Sequence, residues 1–338
     1  MLFPFYLMLS LNSGSQWLQI DKVFDYVTRP HQLQITGNHL YILSNNEAVV
    51  VKFKIEDGGL LFDGNVAIKG SGPGEVLNPS FLSATKEALV ITDDQGISFF
   101  KNRTEFDHRM KYFLRVSGLA VHNGKISVLG LKPRGEVAIE SFQLDGRLLY
   151  SWEHNLIDLL GGSLSDLDKN SARQFNRGSL VSAGDSLIFI ADLLGVALKF
   201  DRDGRVTEKR DLSSDFGPVG RMIASLNEEN IKTGFTKKDG GLQIYMLGTA
   251  SCVVDKSLFI TFVPNAFPDL VQPNTPGFIC VYDTETLTLK GKIDLPKEYR
   301  SVASISMKET QQGDYLAFAI MRDGDFDKKI VTARIPKP

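Results

Sequence analysis

Three groups of residues in this 338-residue sequence could do chemistry. The first is a set of arginines, Arg29, Arg115, Arg134, Arg177, Arg300 and Arg322, whose planar guanidinium forks suit carboxylates. The second is five histidines, His31, His39, His108, His122 and His154, none of them in an H-x-x-x-H or H-E-x-x-H spacing. The third is the stretch KGSGPGEVLNP, residues 69–79. A phosphate-cradling loop needs G-x-x-x-x-G-K-[ST] running into a helix. Here Lys69 precedes the glycines and a strand-like FLSAT follows, so the stretch reads as a turn. Gly72 and Gly74 are expected to adopt backbone angles closed to other residues, with Pro73 fixing the bend between them. Glu75 is expected to accept hydrogen bonds from a neighbouring loop. No G-x-S-x-G elbow occurs.

Whether any of these side chains meet depends on the elements that carry them. Six short apolar runs recur along the chain: HLYILS (39–44), ALVITD (88–93), KISVLGL (125–131), SLIFIAD (186–192), SLFITFV (257–263) and YLAFAIM (315–321). They are rich in β-branched and aromatic residues and too short for helices. Their apolar character is nearly continuous, which implies burial on both faces. Each is followed by a second strand-like run, and often by Asp-Gly, at 57–58, 145–146 and 203–204, a pair that supplies the positive φ of tight hairpins. More charged segments come next, such as HRMKYF, RVTEKRDL and LKGKIDL, as suits sheet edges. Six four-stranded meanders describe an all-β, six-bladed propeller. The last unit ends at KIVTARI without an outer strand, and QWLQIDKVF (16–24) precedes the first unit. The N-terminal segment is therefore expected to close blade six, in one propeller domain over 16–338.

With strands named A to D from channel to rim, the D–A and B–C loops share one face. Three long segments fall there: 155–175, 213–241 with a short helix at 221–235, and the proline-rich 263–277. They either carry recognition, as loops on rigid scaffolds do, or accumulate where they disturb nothing. Arg29, His31, Arg115, Arg177 and Arg300 lie near D–A junctions of this face, and Arg134 and Arg322 in its B–C loops. These arginines either converge to hold an anion or pair with nearby carboxylates. Phe267, Leu270 and Val271 would be donors to an apolar docking patch. Cys252 and Cys280 fall on strands A and C of blade five, with B between. That separates them by roughly 10 Å, beyond the ~7 Å reach of a disulfide, so free, buried thiols are expected.

G-x-G-P-G-E followed by Asn-Pro, an apolar strand and ITDDQGISFF resembles one NHL-type repeat, similar to the six-bladed TolB-like propellers common in Bacteroidota. Gly70, Gly72, Pro73, Gly74, Glu75, Pro79 and Asp93 carry the match, and Asp192 with Gly195 echoes Asp93 with Gly96. The resemblance covers about forty residues and implies fold more than function. Propeller lactonases similar to gluconolactonase hold a divalent metal through Glu, Asn and Asp. By that likeness Glu75, Asn78, Asp93 and Asp192 would be the oxygen ligands of a Ca²⁺-dependent hydrolase.

Balanced charge, 38 Lys and Arg against 40 Asp and Glu, gives no general attraction to nucleic acid. The apolar start MLFPFYLMLSL, followed by Asn12, Ser13, Gly14 and Ser15, resembles a secretory signal without its basic n-region, so residues 1–15 are expected to be a signal remnant or an apolar tail of an exported protein. No later run is long enough to span a bilayer. The sequence thus points to a binding propeller without a cofactor. Its partner would be a protein or a small anionic or saccharide ligand, with Arg29, His31, Glu75, Arg134, Arg177, Arg300 and Arg322 as candidate contacts. The metal-dependent hydrolase is the alternative.

Overall fold

The computed structural model describes residues 16–56, 59–132, 137–154, 178–192, 195–232, 250–263, 277–324 and 327–337. The chain opens on a two-residue strand, β1 (Leu18–Gln19), and a 3-10 turn over Asp21–Asp25. Blade one follows as β2 (Gln32–Thr36), β3 (His39–Ser44), β4 (Val49–Glu56) and β5 (Gly59–Lys69), with a short parallel strand β6 (Glu75–Val76) added outside β5. Blade two is β7 (Phe81–Ala84), β8 (Ala88–Asp93), β9 (Gly96–Lys101) and β10 (Glu105–Met110). Blade three is β11 (Arg115–His122), β12 (Lys125–Leu131), β13 (Val137–Gln143) and β14 (Leu148–His154). Blade four is β15 (Gly178–Ala183), β16 (Ser186–Ala191), β17 (Val196–Phe200) and β18 (Val206–Asp211), followed by helix α1 (Gly217–Lys232). Blade five is β19 (Ser251–Val254), β20 (Ser257–Phe262), β21 (Phe278–Asp283) and β22 (Leu289–Asp294). Blade six is β23 (Ser301–Glu309), β24 (Tyr315–Arg322) and β25 (Lys328–Ile335), completed by β1.

That completion is the expected ring closure. Leu18 sits opposite Thr332 and Gln19 opposite Val331, antiparallel, and the Ile20 N–H donates to Ile330 O at 2.8 Å. The innermost strands then neighbour one another in a closed cycle, β2, β7, β11, β15, β19, β23 and back to β2.

The core is divided among the seams between blades. Six buried clusters form, one for each pair of adjacent blades. Alternation along a strand sends successive side chains to opposite faces. In β16, Leu187 and Phe189 pack toward blade three, whereas Ile188 and Ile190 pack toward blade five. Both faces of each sheet are therefore apolar, and the B strands read as unbroken apolar runs. Helix α1 rests on the seam of blades four and five through Ile223, beside Phe216 and Leu212. Val23 and Val27 of the N-terminal segment seal the seam of blades six and one.

An inner strand leaves one edge without a strand partner, and unsatisfied backbone groups are costly. Here side chains from the adjacent blade supply the missing bonds. Gln32 Nε2 donates to Leu82 O at 3.0 Å while its Oε1 accepts from Leu82 N–H at 2.8 Å. Gln34 does the same for Ala84, at 3.3 and 3.2 Å. Ser304 and Ser306 Oγ accept from Leu33 and Ile35 N–H at 3.1 and 2.9 Å. Ser83 Oγ accepts from Val121 N–H at 3.1 Å, and Ser182 Oγ donates to Val121 O at 3.4 Å.

Several sequence expectations shift in detail. The outer strand of blade two runs over Glu105–Met110 rather than HRMKYF, which leaves Phe113 in the D–A loop at 92% exposure. In the described Asp-Gly turns the glycine alone takes positive φ, +87° at Gly146 and +80° at Gly204. Each is a longer hairpin with a register shift beside it, at Ser141/Phe142 and Lys199/Phe200. The pair at 57–58 lies outside the described residues. Cys252 faces Phe259 and Cys280 faces Ile260 across the intervening β20, and both thiols are free. Cys280 is buried; Cys252 is half-covered and packed on the seam of blades five and six. Burial pushes the thiols up, to about 12 for Cys252 and about 11 for Cys280, where the Tyr282 hydroxyl moderates the rise.

The glycine-rich loop also differs from expectation. Positive φ falls at Gly70 (+157°) and Gly74 (+77°), not at Gly72. Glu75 turns into its own loop and accepts from Gly72 N–H at 2.7 Å. A Cβ at Gly70 would lie 2.0 Å from Glu75 Oε2, and one at Gly72 3.1 Å away, so both glycines make room for that carboxylate. From blade two, Arg109 Nη2 donates to Glu75 O and Nη1 donates to Gln95 Oε1 at 2.6 Å. Gln95 in turn donates to Gly70 O at 3.2 Å.

Two stability measurements test this account. Gln32→Met keeps the length of the side chain and removes both bonds to β7; urea unfolding should show a loss of roughly 1–3 kcal/mol, as for buried groups left unpaired. A change near zero would show that water replaces the amide. Gly70→Ala should destabilise by about 1 kcal/mol or more in the native background but by measurably less beside Glu75→Ala, because the clash partner is then gone. Strict additivity of the two substitutions would contradict the packing described.

Candidate functional site

The residues singled out from sequence separate into groups in space. Glu75 is engaged within its loop as described. Asn78, at φ +49°, donates through Nδ2 to Asp94 Oδ2 at 2.7 Å. Asp93 accepts from Leu77 N–H at 3.0 Å and from Gln95 N–H at 2.8 Å, tying the loop to the turn after β8. Asp192 follows β16 in blade four, two blades away. Three of the four candidate metal ligands thus spend their side chains on local turns. Among the described residues, no group of three or more His, Cys, Asp and Glu is gathered in metal-holding geometry.

The histidines are also dispersed. His122 ends β11 on the opposite face, buried, with Nε2 at 3.4 Å from Ser127 Oγ; burial, then Lys125, hold its pKa low. His39 lies 3.4 Å from Asp63, and His108 stacks on Phe99 beside Asp107. The side chain of His154 lies outside the described residues, as do Arg134, Arg177 and the segments 155–177 and 264–276 that hold Phe267, Leu270 and Val271. The expected helix at 221–235 is present as α1, beginning four residues earlier at Gly217 and described to Lys232.

The arginines of blades six and one do converge. Arg29 ends the N-terminal segment as it reaches the channel mouth, and His31 follows it at the entry to β2. Arg322 closes β24, opposite Ser301 on one side and Lys328 on the other. The Arg300 N–H donates to Arg322 O at 2.8 Å, and the Arg300 guanidinium lies 3.7 Å from where a Cβ at Gly324 would stand. Lys328 bridges the two blades, donating through Nζ to Pro30 O at 2.6 Å. Lys328 was not singled out from sequence. One lysine among many carries no local signal, and the strand register alone sets it opposite Arg322.

The electrostatics of this group follow from its crowding. Lys328 is held below the usual lysine range first by burial, then by the positive charges of Arg322 and Arg29. His31 is solvent-exposed, yet it stands in the concave mouth with protein on several sides. Partial desolvation lowers its pKa most, followed by Lys328 and Arg322. The described carboxylates of the adjoining B–C loop are Asp323, which meets Lys329 at 3.8 Å, and Asp327; Asp325 lies outside the described residues. Among the described residues, the guanidiniums of Arg29, Arg300 and Arg322 enter no hydrogen bond or ion pair, while Lys329 beside them pairs with Asp323. The arrangement is a cationic rim held by backbone contacts, with the carboxylates of Glu47, Asp323 and Asp327 beside it but, among the described residues, not bonded to its guanidiniums. Arg115, at the start of β11, stands on the same face across the mouth, next to the exposed Phe113.

No protein-family model matches the sequence, and a search of curated proteins returns no match. Among solved structures, a candidate exported protein of Bacteroides fragilis is similar at 12% identity over 96% of this chain and 95% of that chain, with a TM-score of 0.56. A luciferin-regenerating enzyme is similar at 9% identity over 95% of each chain, also with a TM-score of 0.56. At these identities the likeness shows the fold, a six-bladed β-propeller, and that fold hosts an enzyme as well as proteins of other kinds.

Proposed function

We propose that this propeller is an exported binding module that takes an anionic ligand, or the acidic segment of a partner, on the face of its D–A and B–C loops. The observation that carries this reading is the group of Arg29, Arg300, Arg322 and Lys328 at the meeting of blades six and one. Like charges held together in a concave mouth repel one another and focus the field outward. An anion relieves that repulsion and finds guanidinium forks ready for bidentate bonds. Export is supported by the apolar start of the sequence and by the likeness to the Bacteroides fragilis structure. Among the described residues no helix is long and apolar enough to cross a membrane.

Calorimetric titration with a tricarboxylate, an acidic peptide and an oligouronide tests the reading. At least one should bind saturably at one site, and Arg300→Ala and Arg322→Ala should each weaken it about tenfold or more, since hydrogen bonds to charged groups contribute roughly 1.5–3 kcal/mol. Binding of none of the three, or indifference to both substitutions, would overturn it. Stoichiometric Ca²⁺ in the purified protein, needed for turnover of a lactone, would favour the hydrolase instead. A second check is the NMR titration of His31. Its midpoint should lie below the ordinary histidine value of 6.5 and rise in Lys328→Met, because removing a neighbouring cation favours the protonated ring. An unchanged midpoint would show that Lys328 does not act on His31.

A further inference from the structure

The rim continues outward into a cleft of about 490 Å³ at the seam of blades six and one. That is within the roughly 300–1,000 Å³ range of small-ligand sites. Its walls come mainly from both ends of the sequence: the segment from β1 to Arg29 on one side, Asp327 and the start of β25 on the other, with Asn46 from blade one. Arg29 and Lys328 belong both to the rim and to the cleft, so one elongated ligand could touch the mouth and the cleft together.

The chemistry of the walls is mixed. Lys329 adds a third positive charge, but Asp21 and Asp327 face the same space. Gln19 and Asn46 present amides, with Gln19 Nε2 donating to Asp21 Oδ1. Phe24 offers a half-buried ring. This set discriminates between classes of anion. A densely charged polyphosphate or an acidic peptide would meet two carboxylates inside the cleft. A neutral sugar would leave the guanidiniums unused. A chain of rings bearing one carboxylate each and several hydroxyls uses all of it: cations for the carboxylate, Asp and amide groups for hydroxyls, and the ring face of Phe24 for the apolar face of a sugar.

We propose that the seam of blades six and one, from Arg322 and Arg29 outward to Phe24 and Asn46, binds an acidic oligosaccharide built from uronate residues. The proposal rests on the anion-binding reading above and specifies its ligand. The test is titration of the full chain with trigalacturonate, a neutral galactose trimer, citrate and an acidic peptide. Trigalacturonate should bind at least tenfold more tightly than each of the other three. Asn46→Ala, at an exposed position, and Phe24→Ala should each weaken trigalacturonate at least threefold, with folding checked by circular dichroism. Asp327→Asn should weaken trigalacturonate while leaving citrate unchanged or tighter. Lys256→Ala, on the opposite face, should change nothing. If citrate or the peptide binds as tightly as trigalacturonate, or if Asn46→Ala and Asp327→Asn leave the uronide unaffected, this proposal fails while the anion-binding reading stands. If no anion binds, both fail.

Discussion

The structure depends on how the inner edges of its sheets are satisfied. Six strands stand around the axis, each with one side unpaired by any strand, and a propeller is stable when those edges find partners. Here Gln32 and Gln34 imitate a neighbouring strand, each carboxamide meeting the N–H and the C=O of one residue on β7. Serines of blades two, four and six do the same, Ser304 at both the N–H and the C=O of Leu33 and Ser83, Ser182 and Ser306 with single bonds. Amide and hydroxyl are suited to this role because they bond without carrying charge into the interior. The inner strands are thereby tied across several of the seams.

Side chains at the rim stand outside this arrangement. The D–A and B–C loops there are free of the pairing rules of the sheets, and the junction of blades six and one differs from the rest because the chain begins and ends its ring there. The N-terminal segment must travel from the outer edge of blade six to the inner strand of blade one. In doing so it seals a seam with Val23 and Val27 and delivers Arg29 and His31 to the mouth. Lys328, bonded to Pro30 O, ties that segment to blade six.

Much of the fold was legible because burial on two faces writes itself as continuous apolar runs, and each of the six runs proved to be the second strand of a blade. The closing role of residues 16–20 was legible from counting strands. Features that arise from register or space were not. The positive φ at Gly70, and the need for Gly72 to be small, both depend on where the Glu75 carboxylate turns. HRMKYF reads as a charged edge strand, yet the strand ends at Met110 and Phe113 projects from the loop. The arginine cluster was legible as separate positions on one face; that Arg29 and Arg322 share a site with Lys328 follows from contacts between segments 271 to 298 residues apart in sequence. The oxygen-rich set Glu75, Asn78 and Asp93 looks like a ligand set from sequence because turns and metal sites draw on the same residue types.

The brevity of the closing strand has a bearing on folding as well as recognition. The strand pairing that closes blade six is two residues of β1 and one further N–H, backed by Val23 and Val27 in the seam and by Lys328 on Pro30 O. The cleft beside them has walls drawn from opposite termini, so it exists in the sealed ring and vanishes when the first strand peels away. Any molecule lodged there would act as a clasp across that joint, and by mass action it would resist unravelling the more, the higher its concentration. Recognition and mechanical integrity would then be one equilibrium viewed from two sides.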